Sequence, residues 1–355
     1  MKNWLNKMEL NHPLVIAGPC SAETEEQVVA IAHELVKTDA TVFRAGVWKP
    51  RTRPGNFEGI GALALPWLQR VKKETGLLIA VEVANATHVK LALEHNVDIL
   101  WIGARTTVNP FAVQEIADAL ENTNKIVMVK NPINPDLELW IGAIERLQKA
   151  NIKNIGAIHR GFSTYQKTKY RNNPKWQIAI DFKNRMPEIP LINDPSHICG
   201  NRENIFDVSQ LALDLQFDGL MIETHTNPDK AWSDAKQQIT PTRLNEIITA
   251  LTVRKTQFEK AEAIKKLTVL REEITQIDTQ LIKILSNRMA VSHKIGEAKK
   301  EKNVAVLQPN RWNDVLKESV LKGEQEGLSS VFMEKIYKAI HQESIKIQEE
   351  ILKNK

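Results

Sequence analysis

Short apolar runs alternate with longer segments in which apolar residues return every three or four positions, and the alternation repeats eight times through about residue 250. The runs lie in VIAG, TVFRAG, LLIAVEV, ILWIG, KIVMVK, IGAIH, LIND and GLMIE, and each reads as a strand. The segments between them read as amphipathic helices: Val28, Ile31, Ala32 and Leu35 fall at i, i+3, i+4, i+7 within 25–37, and Val113, Ile116, Ala117 and Leu120 repeat the pattern. The last of these helices is expected over 241–253. Eight strands alternating with helices predict an α/β fold, a (β/α)8 barrel, whose active site lies at the carboxyl ends of the strands. From about residue 255 the texture changes. Gly and Pro almost vanish, and Leu267, Leu270, Ile274, Ile277, Leu281, Ile284 and Leu285 mark one long helical pattern. A second helix opens near Pro309, where proline is tolerated at a helix start, and a third follows Ser329 or Ser330 as cap. The expected organisation is a barrel over 1–254, a linker over 255–264 and a small all-α three-helix domain over 265–355. Three helices, one of them very long, offer little core of their own, so this domain is expected to pair with a second copy.

Every predicted strand ends on a residue that can bind a metal or an anion. In chain order these are Cys20; Arg44 with Lys49 and Arg51; Glu82; Arg105; Lys130; His159 and Arg160; Asp194 and His197; and Glu223 with His225. A lone basic residue after a strand is usually a solvated loop charge, but eight reactive termini in series resist that account. Cys20, His197 and Glu223 follow strands one, seven and eight, which become neighbours when a barrel closes, and Asp234 lies eleven residues past Glu223. One thiolate, one imidazole and two carboxylates suit a divalent transition metal (Mn, Fe, Co or Zn) better than Mg or Ca. His225 competes as a ligand, and spacing alone does not choose. Arg44, Arg51, Arg105 and Arg160, with Lys49 and Lys130, bring six cations to the same mouth. Guanidinium forks match carboxylate and phosphate, and this number points to two anionic substrates, or to one with several anionic groups. The Gly-, Pro- and Arg-rich run VWKPRTRPGNFEGIG reads as a functional loop and STYQKTKYRNNPKW as a lid.

Composition narrows the classes. The 355 residues exceed a typical single domain. A net charge of +5 is spread along the chain and lacks the basic stripe with aromatic stacking that nucleic acid would require. MKNWLNKMELNHP is too polar for a signal peptide, no apolar run reaches membrane-spanning length, and two cysteines argue for a reducing compartment. A cytoplasmic enzyme is expected, with neither nucleic acid nor membrane as partner.

GPCS, RAGVWKPRT, IGARTT, VKNP, HRGFS, NDPSH and MIETH with SDAKQ, spread over residues 10–250, resemble 3-deoxy-D-arabino-heptulosonate 7-phosphate (DAHP) synthase, in the branch related to 3-deoxy-octulosonate 8-phosphate synthase. The resemblance implies condensation of phosphoenolpyruvate with erythrose 4-phosphate, the first committed step of aromatic biosynthesis. It implies Cys20, His197, Glu223 and Asp234 as metal ligands. It places Arg44, Arg105, Lys130 and Arg160 on phosphoenolpyruvate, and Lys49, Arg51 and Thr52, within KPRT, on erythrose 4-phosphate. Lys130 and Lys49 are the catalytic cations of this set; Glu82 or a metal-bound water are further candidates for the proton transfers. KPRT separates this chain from the octulosonate enzyme, which carries a KAN-type sequence there.

On the long helix Arg271, Arg288 and Lys299 are separated by seventeen and eleven residues, close to five and three helical turns. Spacing alone reads as a solvated charged face. LREEI, IDTQLIKILSNRMAV, KIGEAK and HQESIKIQ, over residues 265–350, are similar to the all-helical chorismate mutase. That resemblance implies Arg271, Arg288, Lys299, Gln308, Arg311, Ser344 and Gln348 around chorismate. The arginines would meet its carboxylates, and Lys299 and Gln348 its ether oxygen, so that Arg288, Lys299 and Gln348 carry catalysis. It also implies that Arg271 acts on the partner's site in a homodimer. The chain departs from the pattern where some members carry Asp and Glu, having Gln308 and Trp312 instead. Three readings compete: a bifunctional synthase and mutase; a synthase whose helical tail senses chorismate or prephenate; and an octulosonate synthase with a dimerisation tail, against which KPRT and the mutase-like spacing count.

Overall fold

The computed structural model describes residues 3–50, 55, 57–165, 168–255 and 261–353. The chain divides into two compact units at Thr256/Gln257. In the first, eight parallel strands close in sequence order into a barrel: β1 Leu14–Gly18, β2 Val42–Arg44, β3 Leu78–Val83, β4 Ile99–Ile102, β5 Ile126–Lys130, β6 Asn154–His159, β7 Leu191–Asn193 and β8 Gly219–Glu223. β1 pairs with both β2 and β8, and β8 with β7, so the first, seventh and eighth strand ends are neighbours, as the ring order expected. The helices are α1 Asn3–Asn6, α2 Glu25–Leu35, α3 Leu65–Thr75, α4 Ala86–Glu94, α5 Ala104–Thr107, α6 Pro110–Ala119, α7 Leu137–Lys149, α8 Trp176–Arg185, α9 Pro195–Cys199, α10 Ile205–Asp214 and α11 Pro241–Ala250.

The strands are uniformly apolar because both faces are covered. Alternate residues face inward: Leu14, Ile16, Val42, Ala80, Ile99, Trp101, Met128, Ile158, Ile192 and Met221 fill the barrel. The intervening set, among them Val15, Ala17, Phe43, Ile79 and Val81, packs against the helices. Trp4 of α1 joins the inner cluster, and its indole N–H donates to the Ile155 carbonyl at 2.8 Å. Helix starts follow their caps: Thr24, Asn85 and Asp136 each accept a backbone N–H three residues on. At Gly18 β1 and β2 approach so closely that a Cβ would stand 2.1 Å from the Arg44 carbonyl oxygen, with φ at +145°. Only glycine fits there.

The second unit consists of α12 Ala261–Glu301, α13 Pro309–Gln325 and α14 Ser330–Lys353. α12 begins inside the span expected as linker. α14 packs on both other helices; at Gly323 a Cβ would meet Met333 Cγ at 2.4 Å, so glycine sets the approach of α13 to α14. Leu270, Ile274, Ile277, Leu281 and Ile284 leave about half or more of their surface exposed along α12. Among the described residues no helix is long and apolar enough to cross a membrane.

Candidate active sites

The strand ends deliver their reactive groups to one rim of the barrel. Cys20, two residues past β1, is fully buried. Its thiol stands 2.7 Å from Lys49 Nζ and 3.4 Å from Asp234 Oδ2, and its carbonyl accepts from Lys49 Nζ at 2.8 Å. Burial, reinforced by the Glu223 charge, pushes the thiol up to about 12 against the pull of Lys49. Glu223, the last residue of β8, is also fully buried. It receives the Gln237 amide at 2.7 Å, and its Oε1 lies 3.3 Å from Arg44 and 3.8 Å from His197 Nε2. Burial favours its neutral form, but His197, Arg44 and Lys49 outweigh that and hold the carboxyl below its ordinary value. Asp234 sits in the left-handed region (φ +46°) and pairs with Arg171 at 2.9 Å. Despite partial burial, Arg171 and His197 keep it ionised well below the usual carboxylate range.

Asp194 organises this rim; the sequence placed it after strand seven among the reactive residues but gave it no role. It caps α9 by accepting the His197 backbone N–H at 3.1 Å, holds His197 Nδ1 at 3.0 Å, and pairs with Lys130 Nζ at 2.7 Å. The Nδ1 contact leaves Nε2 of His197 turned toward Glu223. Lys130 at the end of β5 and Arg44 at the end of β2 both lie over the Trp101 ring, at 5.7 and 5.0 Å. Arg160 donates to Asn172 at 2.7 Å, and burial, with the nearby charges of Arg171 and Arg105, pushes its guanidinium down to about 10. Arg105 occupies the first turn of α5. Glu82 accepts the Trp101 indole N–H at 3.2 Å, and the fully buried His159 donates from Nε2 to the Pro174 carbonyl oxygen, 2.7 Å away. His225 Nε2 stands 3.6 Å from Glu23 Oε2, a partner its spacing did not reveal. Arg51 and Thr52 lie outside the described residues.

Among the described residues no three His, Cys, Asp or Glu side chains are spaced as a coordination sphere. Lys49 stands against the thiol, Arg171 against Asp234 and Gln237 against Glu223, so the four sequence-derived ligands share one rim without closing on a common point.

The helical unit holds a pocket of about 380 Å³. Six of the seven residues placed there by sequence, Arg288, Lys299, Gln308, Arg311, Ser344 and Gln348, line it. Arg288 donates to Ser344 Oγ at 2.8 Å, Ser292 to the same hydroxyl at 3.1 Å, and Lys299 to Gln348 Oε1 at 3.0 Å. Burial lowers Lys299 below the ordinary lysine value. Arg271 is exposed and lines no part of this pocket. At 1.5 Å per residue its Cα is roughly 25 Å along α12 from Arg288. Ser292, Trp312 and His341 add polar and aromatic groups to the lining, with Ile295, Val306, Val315 and Ile345; Ser292 was findable, four residues after Arg288 on the same face.

Residues 9–260 match the model of the DAHP synthetase I family. The chain belongs to that family. Residues 270–349 match the chorismate mutase type II model, so a DAHP synthase domain is followed by a chorismate mutase domain. The chain is 30% identical over 225 residues to a phospho-2-dehydro-3-deoxyheptonate aldolase of Thermotoga maritima, covering 63% of this chain and 64% of that protein. It therefore spans just under two thirds of that relative's length. It is 28% identical over 257 residues to a 2-dehydro-3-deoxyphosphooctonate aldolase of Syntrophotalea carbinolica, covering 64% of this chain and 86% of that one. The crystal structure of the Thermotoga maritima DAHP synthase superposes with a TM-score of 0.60 at 28% identity, over 67% of this chain and 68% of that chain.

Proposed function

We propose that the chain is a bifunctional enzyme of aromatic biosynthesis. The barrel condenses phosphoenolpyruvate with erythrose 4-phosphate to DAHP, and the helical domain rearranges chorismate to prephenate. One observation carries the barrel reading. Arg44 is 2% exposed, yet its Nε and Nη1 have no hydrogen-bond partner among the described residues, beside a thiol, an imidazole and two carboxylates. Buried donors without partners are costly and rare; an incoming anion satisfies them. Arg44, Arg105, Lys130 and Arg160 hold the phosphate and carboxylate of phosphoenolpyruvate, and Lys49, Arg51 and Thr52 hold the aldose phosphate. Fixing both phosphates brings the enol carbon to the aldehyde, largely a proximity effect. Lys130, oriented by Asp194, is positioned to hold or pass a proton.

The rim fits a divalent transition metal. Glu223 Oε1 lacks a hydrogen-bond partner among the described residues, His197 presents Nε2 because Asp194 holds Nδ1, and the Lys49 ammonium stands against the Cys20 thiol, a position a metal cation could take. Cys20, His197, Glu223 and Asp234 would hold the ion, which supplies Lewis-acid activation of the aldehyde oxygen. The test is to assay the full chain for both reactions with and without chelator. DAHP formation should cease on chelation and return with Mn, Fe, Co or Zn, while prephenate formation is unchanged. DAHP formation that survives complete metal removal refutes the metal reading.

Asp194→Asn keeps the shape but removes the charge that orients both His197 and Lys130. It should lower synthase kcat/KM by about 10- to 100-fold, the usual cost of losing a residue that orients a metal ligand, and leave the mutase at its normal rate. A wild-type synthase rate in this variant would reduce Asp194 to a helix cap.

In the mutase pocket Arg288 and Arg311 meet the substrate carboxylates, and Lys299 with Gln348 stabilises the charge that develops on the breaking ether. The exposed apolar stripe of α12 and the distance of Arg271 from its own pocket support a homodimer through the helical domain, in which Arg271 serves the partner's site. The same pocket suits a sensing role, since whatever binds it couples to the synthase if the two domains communicate. Prephenate added to the full chain should then lower the DAHP rate; a flat titration leaves the helical domain a catalyst alone.

A further inference from the structure

Two rings in the helical pocket remain unused by this chemistry. α13 places Trp312 directly after Arg311, and α14 places His341 three residues before Ser344, on the same face. The rings stack with centroids 3.8 Å apart and planes 14° from parallel, and both line the cavity that Arg288, Lys299 and Arg311 line. No Asp or Glu lines that cavity among the described residues.

Chorismate offers two carboxylates, an ether oxygen and one hydroxyl. The cations and Gln348 account for the first three. The hydroxyl needs a neutral partner, and most neutral groups are taken: Ser292 and Ser344 are tied to each other and to Arg288, and Gln348 Oε1 to Lys299. His341 and Gln308 remain as groups that can both donate and accept; the Trp312 indole N–H and the Gln348 amide nitrogen, also on the lining, can only donate. Gln308 must freeze several rotors to serve; the His341 ring is already fixed by the indole, and its nitrogens carry no hydrogen bond among the described residues. We infer that His341, clamped by Trp312, is the specificity-determining residue that recognises the substrate's hydroxyl. The inference rests on the mutase reading of this pocket. The imidazole works in its neutral form. Burial, with Arg288 and Lys299 from α12, lowers its pKa below the ordinary histidine value, and Arg311 of α13 lines the same cavity. Protonation would add another cation to a pocket already lined by three, and the ring would lose its acceptor.

The test uses the full chain, with chorismate and a chorismate analogue lacking the ring hydroxyl as substrates. Wild type should prefer chorismate, and its kcat/KM should fall on acidification through a limb centred below the ordinary histidine pKa. His341→Phe keeps a ring against Trp312 but no nitrogen. It should lose about tenfold in kcat/KM for chorismate, roughly one hydrogen bond, and with it both the preference and the acid limb. His341→Asn, which retains a donor and an acceptor, should recover part of the preference without the limb. Helical content and melting temperature establish that the variants fold. A His341→Phe enzyme that still discriminates the two substrates, or keeps the acid limb, overturns the assignment. Failure of wild type to form any prephenate retires the mutase reading and this inference with it.

Discussion

Replacing Cys20 with Ser should leave a folded chain that binds its divalent metal poorly and makes DAHP at least about 100-fold more slowly, since losing a direct ligand costs no less than losing a residue behind one. The fold should survive. Cys20 is fully buried, but serine is of similar size, and its hydroxyl can accept from Lys49 as the thiol does now at 2.7 Å. The buried hydroxyl then keeps a partner, which limits the cost to about 1 kcal/mol. The ion meets a different chemistry. Burial holds the Cys20 proton until about pH 12, so metal binding must displace that proton. Affinity in the wild type should therefore rise with pH, and the serine variant, with no thiol proton to release, should show a shallower slope. Metal content per chain after gel filtration, read beside the DAHP rate and melting temperature, separates the effects. A serine variant that holds one metal per chain and works at the wild-type rate would remove Cys20 from the site. The mutase rate of the same chain serves as the internal control.

The barrel was legible because its two signals reinforce each other: a strand buried on both faces must be apolar, and the first reactive residue after it must lie at the rim. Lys130 closes β5 and Glu223 closes β8, so position along the chain is position in the site. What the sequence hid are contacts across the ring. Asp194 reads from the sequence only as a reactive residue after strand seven; its partner Lys130 lies 64 residues away. Arg171 meets Asp234 across 63 residues, and no periodicity connects them. His225 could not be sorted from His197 by spacing, since Glu23, which faces it, comes from the loop after β1. Helix ends shifted for local reasons. The helix expected to run to residue 37 stops at Leu35, where the Thr38 hydroxyl takes the Leu35 carbonyl at 2.7 Å and turns the chain. In the helical unit the shared face of Arg288, Ser292 and Lys299 was readable. The stack of Trp312 on His341 joins two helices and was not.

The sharpest test of the helical domain is a mixing experiment. Arg271→Ala and Arg288→Ala should each cost the mutase about 10²- to 10³-fold, the usual loss when one preorganised donor is removed from a site that stabilises developing charge. Arg288→Ala also strips a partner from the buried Ser344, whereas Arg271 is exposed and its loss should leave melting unchanged. Alone, each homodimer has two damaged sites. If Arg271 serves the partner's pocket, a mixed dimer joins the intact pocket of the Arg271→Ala chain to the intact Arg271 of the other chain, restoring one site of two. Equal mixing with free exchange makes half the dimers mixed, so the mixture should regain about a quarter of wild-type activity. If Arg271 instead reached its own pocket, no mixed dimer would contain a complete site and mixing would restore nothing. The roughly 25 Å between Arg271 and Arg288 along one rigid helix makes recovery the expected result. Because every chain in the mixture carries an unaltered barrel, the DAHP rate should stay constant throughout and calibrate the amount of folded enzyme. Recovery that falls as the mixture is diluted, in step with dissociation measured by sedimentation, would tie the mutase to the pair of helical domains. Activity that persists in the monomer would break that tie.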